Sequence, residues 1–189
     1  MNLGQMMLVL VALVVLGALI LQSNSVILES SDTLTSSEID ASAISLAASI
    51  MEEASGKLFD EAITDTTVSA LTDPGQLSAS LGPEHGERFR DSTGTHPLFN
   101  DFDDFNGLFV VFKSADPADA APTPGADWEI AVPDLRGKFY VHVSVVYVQP
   151  NALDAIAPGR TWHKKMTMTV TSPSSQGTVV LPWVMSFWN

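Results

Sequence analysis

MMLVLVALVVLGALIL, residues 6–21, carries no polar side chain, and from Ser23 to Ile63 the chain turns rich in Ser, Ala and Glu with apolar residues at helical spacing. Residues 1–63 contain three glycines and no proline, and all eleven prolines lie from Pro74 onward. The pattern predicts one helix of about 60 residues, roughly 90 Å long at 1.5 Å per residue, far beyond the ~11–12 residues of an average globular helix. Its first part, 1–22, is apolar all round and needs a membrane or other apolar helices. Its second part, 23–63, is amphipathic and needs a folded domain to rest on.

The amphipathic part can be read residue by residue. Ile39, Ala43, Leu46, Ile50, Ala54, Leu58 and Ala62 recur every three or four residues and form one apolar stripe. Ile44, Met51 and Phe59 make a second ridge beside it. Between Ser23 and Ser37 the Ser, Thr and Asn residues have poor helix propensity, which favours local melting there. Asp73-Pro74-Gly75 ends the helical reading.

Residues 64–189 read as a β-rich domain. Leu108–Lys113, Trp128–Val132, Lys138–Val148, Thr161–Thr171 and Thr178–Phe187 are enriched in β-branched and aromatic residues. In Thr161–Thr171, Met166, Met168 and Val170 alternate with polar residues, which describes a strand buried on one face. The loops Gln149–Arg160 and Ser172–Gly177 join the last three segments, for which an antiparallel meander is the simplest pairing, and Pro182 places the last strand at an edge or a bulge. Gln149–Arg160 and Asp116–Asp127 read as loops. The fold class expected is α+β, a long N-terminal helix packed on an antiparallel sheet.

Composition narrows function. The 189 residues suffice for one domain with an appendage. Absence of cysteine excludes disulfides, thiolate chemistry and Cys-ligated metals. The formal charge of −13 is distributed as −7 over residues 1–63, −10 over 64–134 and +4 over 135–189. An acidic chain of this kind has no electrostatic basis for binding nucleic acid. Its acidity serves solubility outside the cell, or the basic last third meets the acidic part of its own or a neighbouring chain.

The N-terminus departs from a secretory signal peptide, since the first basic residue is Lys57 and no A-x-A-like site follows Leu21. With Leu3, Gly4 and Gln5 the apolar run reaches about 19 residues, adequate for a span that prefers ~20. The acids at Glu29, Asp32, Glu38 and Asp40 all follow it, so the C-terminal domain is expected outside the cytoplasm.

A long helix, apolar in its first half and laid on a β domain, resembles the type IV pilins. The resemblance is strongest over residues 1–63 and architectural over 64–189. It implies a structural, non-enzymatic subunit of an extracellular filament at the cell surface, a homo-oligomer inserted in the inner membrane before assembly. Assembly would then bury Met6, Met7, Leu8, Leu10, Leu13, Leu16, Leu19 and Ile20 in the filament core. Family members carry Glu at mature position five. Here that position is Gln5 if Met1 is the mature start, or Gly4-Gln5 is itself a cleavage point after a leader without a basic residue. The alternatives are a minor pilin or pseudopilin of a secretion or adhesion machine, and a single-pass anchored extracellular binding module.

One cofactor is suggested. Asp101-Phe-Asp-Asp-Phe-Asn-Gly107 resembles the acidic D-x-D-D-[FY]-x-G stretch of some bacterial pilin-like proteins. Asp101, Asp103, Asp104 and Asn106 place four oxygen-bearing side chains in seven residues, suited to a hard cation such as Ca²⁺. The alternative is a polar turn in which Asn106-Gly107 starts the next strand. Signature motifs of nucleotide-binding, zinc-protease and serine-hydrolase sites are absent from the sequence. His142 reads as a packed or strand-face residue rather than a catalyst. His163, Lys164 and Lys165 read as a solvated basic strand start. His85 and His96 flank a loop where Glu84, Glu87, Arg88, Arg90 and Asp91 suggest weak surface ion pairs. Glu52/Glu53 and Asp60/Glu61 read as solvated helix residues, and Trp162, Trp183 and Trp188 as core.

Overall fold

The computed structural model describes residues 2–64, 71–84, 86–116, 121–175 and 177–187. His85 and Trp188 lie outside them. The chain divides into two compact units, Met1–Glu38 and Ile39–Asn189. Helix α1 runs from Leu3 to Ser55, and a four-residue α2 covers Glu61–Thr64. Six strands follow: β1 (Phe109–Ser114), β2 (Trp128–Val132), β3 (Phe139–Gln149), β4 (Ala152–Ile156), β5 (His163–Thr171) and β6 (Thr178–Ser186).

In the first unit every described side chain, Asn2–Glu38, is exposed. Helix α1 is unbroken through Ser23–Ser37, where hydroxyls turn back onto the helix: Thr33, Thr35 and Ser37 donate to the carbonyls of Glu29, Ser31 and Thr33 at 2.8–3.0 Å.

The second unit holds the core. Ile39, Ala43, Ala47, Ile50 and Ala54 are its buried helical stripe. They pack with Val110, Val141, Val143, Met166, Met168 and Val170 of the sheet. The small Ala side chains allow a close approach of helix to sheet. The predicted stripe ran further, but α1 ends at Ser55. Gly56 follows, with poor helix propensity, and its N–H is shared between the carbonyls of Glu52 and Glu53 at 3.3 Å. Leu58 then pairs as an isolated bridge with Asp101, and its own side chain is exposed.

The sheet has the order β2-β1-β3-β5-β6, with β4 pairing β3. Strands β3, β5 and β6 form the expected meander, Val143 opposite Met168 and Met168 opposite Leu181. Pro182 sits in β6, an edge strand, where a missing N–H is tolerated. Two details differ from the sequence reading. Strand β2 runs parallel to β1, Val110 opposite Trp128. The 13 residues between them meet the roughly dozen a parallel crossover requires. Asp127 closes that crossover, its carboxylate accepting from the N–H of Phe109 at 2.7 Å. Strand β4 lies inside the predicted loop Gln149–Arg160, its pairing with β3 interrupted by a bulge at Val148/Gln149.

Candidate functional site

Two features stand out from the rest of the chain, an exposed apolar run and a buried cluster of charge. The first is the apolar run. Met6, Met7, Leu8, Leu10, Leu13, Leu16, Leu19 and Ile20 are between 53% and 72% exposed. Among the described residues α1 is the one helix long and apolar enough to cross a membrane. Gln5 serves the start of this helix, its side-chain oxygen 3.5 Å from the N–H of Asn2. That is half of a capping box, at the long limit of hydrogen bonding.

The second is a charged centre inside the Ile39–Asn189 unit. Asp60, Asp101, Asp103, Asp104 and Lys164 are all 0% exposed, and Glu87 is 8% exposed. Lys164 lies on β5 with the parity of Met166, Met168 and Val170, so its side chain enters the core. Its Nζ donates to the carbonyl of Phe59 at 2.8 Å, to Asp60 Oδ2 at 2.6 Å and to Asp103 Oδ1. The rings of Phe59 and Tyr147 lie 4.7 and 5.3 Å from the ammonium. Asp60 Oδ1 accepts from the N–H groups of Ala62 and Ser78 at 3.1 and 3.0 Å, and from the Ser78 hydroxyl at 2.9 Å. The Tyr147 hydroxyl is 3.1 Å from Asp60 Oδ2 and 2.9 Å from the carbonyl of Ser78.

These contacts set the titration. Burial pushes Asp60 upward, but the charge and hydrogen bond of Lys164, with the backbone donors, outweigh it and hold its carboxyl below the ordinary range. Asp103 has the same cation and fewer donors. Burial dominates there, the negative charge of Asp60 adds to it, and its carboxyl is raised. One ammonium therefore serves two carboxylates unequally.

Beyond Asp103, Lys164 still acts on Asp101 through its charge, and among the described residues no ion pair joins Glu84, Glu87 or Asp104 to a cation. The 3₁₀ turn Asp103–Phe105 is held by the residue before its N-cap: Asp101 Oδ1 accepts from the N–H groups of Asp103 and Asp104 at 2.8 and 3.1 Å. Asp104 Oδ2 accepts from those of Asn100 and Asp101 at 2.8 and 3.0 Å. Two groups of carboxylates gather here, Glu61 with Glu84 and Asp101, and Glu84 with Glu87 and Asp104, with oxygens within 4.8 Å of one another in each group. Burial first, then the neighbouring acids, raises Glu84 and Glu87 to about 7. Burial and the charges of Asp103 and Asp104 raise Asp101 to about 9.

The structure thus redistributes the residues singled out in the sequence. Asp101 and Asp104 come together with Glu61, Glu84 and Glu87, which the sequence placed on solvated surfaces. Asp103 is engaged by Lys164. Asn106 is spent on the fold: its Oδ1 accepts from the N–H of Val145 at 2.8 Å and its Nδ2 donates to the carbonyl of Leu81 at 3.0 Å. Gly107, at φ +84°, then turns the chain into β1. Lys164 and Asp60 are buried, not solvated, and Lys164 is where the basic last third of the chain meets its acidic part. Glu53 pairs with Arg90. His142 is exposed and stacks on Phe109 with ring centroids 4.1 Å apart. His163 Nδ1 is 2.7 Å from the Ser186 hydroxyl. Trp162 packs against the cluster of Phe59, Leu77 and Tyr147, whereas Trp183 is 41% exposed on the edge strand. Comparison with protein-family models, with curated proteins and with solved structures gives no match.

Proposed function

We propose that this chain is the structural subunit of an extracellular type IV pilus-like filament, membrane-inserted before assembly and polymerised through its apolar N-terminal helix. The observation that carries this reading is the uncovered run Met6–Leu21, sixteen residues without a polar side chain, all exposed. The same helix is buried by its own domain further along, from Ile39 to Ala54. The domain thus covers one part of α1 and leaves the other to a partner. Full burial of sixteen apolar residues at roughly 1–2 kcal/mol each exceeds an association cost of about 4–15 kcal/mol. Other copies of the same helix are chemically suited to supply the cover, and the unbroken helical register allows side-by-side packing.

A single-pass anchor for an extracellular binding domain is the second reading, favoured by a helix that meets the length and composition of a membrane span. Fractionation of cells separates the two. A filament subunit is released by mechanical shear and pellets as polymer. An anchored monomer stays with the membrane and leaves it only with detergent, and that outcome refutes the filament.

A further inference from the structure

We propose that Glu84, Glu87 and Asp104, assisted by the amide oxygen of Asn100, bind a Ca²⁺ ion that enters through the adjoining cleft. The inference is independent of the filament reading. It starts from buried oxygens without partners: Glu84 Oε2, Glu87 Oε2, Asp104 Oδ1 and Asn100 Oδ1 are inaccessible to solvent and accept no hydrogen bond. Asp104 is 0% exposed and Glu87 is 8% exposed. A buried acceptor left unpaired is costly, and here three acids in one group each carry such an oxygen.

The arrangement divides labour within each carboxylate. Asp104 Oδ2 is fixed by the N–H groups of Asn100 and Asp101, and Glu87 Oε1 by the Asn100 side-chain amide at 2.7 Å. One oxygen of each is thereby oriented by donors, as ligands of bound metals are, and the other is left over. Carboxylate oxygens of all three acids lie within 4.8 Å of one another. Oxygens held at about 2.3–2.6 Å from one Ca²⁺ ion can be separated by up to roughly 5 Å, so the group has the right size.

Access favours this group over Glu61, Glu84 and Asp101. A 440 Å³ cleft is lined by Glu87 and Asp104, with Trp128 on its wall; of its two arginines, Arg90 is paired with Glu53 and Arg88 is exposed. The opening leaves room for the waters that complete a coordination shell of six to eight. Three carboxylates and a neutral amide offer hard oxygen ligands only, which suits Ca²⁺ rather than a thiophilic or imidazole-seeking metal.

The full chain in detergent, stripped with chelator and desalted, is titrated with CaCl₂ by calorimetry and with TbCl₃ by luminescence sensitised through tryptophan. We expect one saturable Ca²⁺ site, with Kd between about 10⁻⁵ and 10⁻³ M, and displacement of Tb³⁺ by Ca²⁺. Trp128→Phe should lose most of the sensitised emission and retain the heat of binding. Glu84→Gln and Glu87→Gln should each weaken Ca²⁺ by about tenfold or more, with the tryptophan melting transition of the stripped proteins preserved. If Glu87→Gln does not fold, Glu84→Gln, at the partly exposed member, decides alone. Absence of saturable binding to the parent chain up to about 10 mM, ten times the weakest range above, overturns the proposal. So does binding of unchanged affinity by the folded glutamine variants.

Discussion

Replacing Lys164 by Met tests whether the charged centre holds the Ile39–Asn189 unit together. The Nζ group contacts Asp60 at 2.6 Å and also Asp103, and the side chains of all three residues are 0% accessible. Met fills much of the volume and supplies no charge, so two carboxylates lose their cation inside the core. Breaking a buried pair from one side costs about 3–5 kcal/mol. For a unit of this size each kcal/mol moves Tm by about 2–4 °C, which gives a fall of roughly 6–20 °C. All four tryptophans lie between residues 128 and 188, so their emission follows this unit and not the apolar helix. Melting of the full chain in detergent is therefore read by tryptophan fluorescence. Two further variants sharpen the test. Lys165→Met, next in sequence on the opposite strand face, pairs with the 98% exposed Asp154 and should leave Tm unchanged. Lys164→Met combined with Asp60→Asn and Asp103→Asn removes the orphaned charges and should recover at least half of the loss. A fall of under about 2 °C for Lys164→Met, or equal falls for Lys164→Met and Lys165→Met, would refute the reasoning.

Three other outcomes are expected. Residues 39–189 expressed alone should be a soluble monomer by size-exclusion chromatography, whereas 64–189, which strips Ile39, Ala43, Ala47, Ile50 and Ala54 from the core, should aggregate. Leu13→Asp or Leu16→Asp should abolish sheared filaments while the tryptophan melting transition stays at the parent value, because an unpaired carboxylate is too costly in a dry helix bundle. In chelator, Tm should fall as pH rises from 5 to 8. Glu84 and Glu87 have folded pKa values raised to about 7, so their contribution is complete below the ordinary value near 4.5 and is lost as pH climbs through 7; Glu84→Gln should flatten that slope.

How much of this was legible in the sequence depended on whether the signal was periodic or compositional. The stripe from Ile39 to Ala54 and strand β5 announce themselves through spacing, and the apolar run and strands β1, β2, β3 and β6 through composition. Strand β4 does not, because Ala152–Ile156 has a largely exposed face pattern and forms only by pairing back on β3. The parallel β1–β2 pair was hidden for another reason: direction is set by the crossover and by Asp127, not by the composition of either strand. Lys164 could have been read correctly. Its parity with Met166, Met168 and Val170 points it inward, and only its charge argued for solvent. Asp60 gave no such signal, since its burial depends on Ser78 and Lys164, 18 and 104 residues away, and neither did Glu84 and Glu87, which meet Asp104, and in the case of Glu87 also Asn100, only through the fold of an irregular segment.

The charged centre also holds together the described parts of a long irregular segment. Between Ser55 and Phe109 the described residues form one four-residue helix and two three-residue 3₁₀ turns, too little regular structure to satisfy the backbone by ladders. Side chains take over that role: Asp60 serves Ala62 and Ser78, Asp104 serves Asn100 and Asp101, and Asp101 serves Asp103 and Asp104. Apolar weight comes from Phe89, Phe99 and Phe105, whose rings meet at 5.2–6.0 Å. Acids so used cannot be traded for apolar residues without orphaning N–H groups, and their accumulated charge needs cations. Lys164 supplies one at Asp60 and Asp103. On the far side of the 3₁₀ turn, at Asp104, Glu84 and Glu87, the proposed Ca²⁺ would meet the same requirement, and loss of either cation should then loosen this segment before it disturbs the β3–β5–β6 meander.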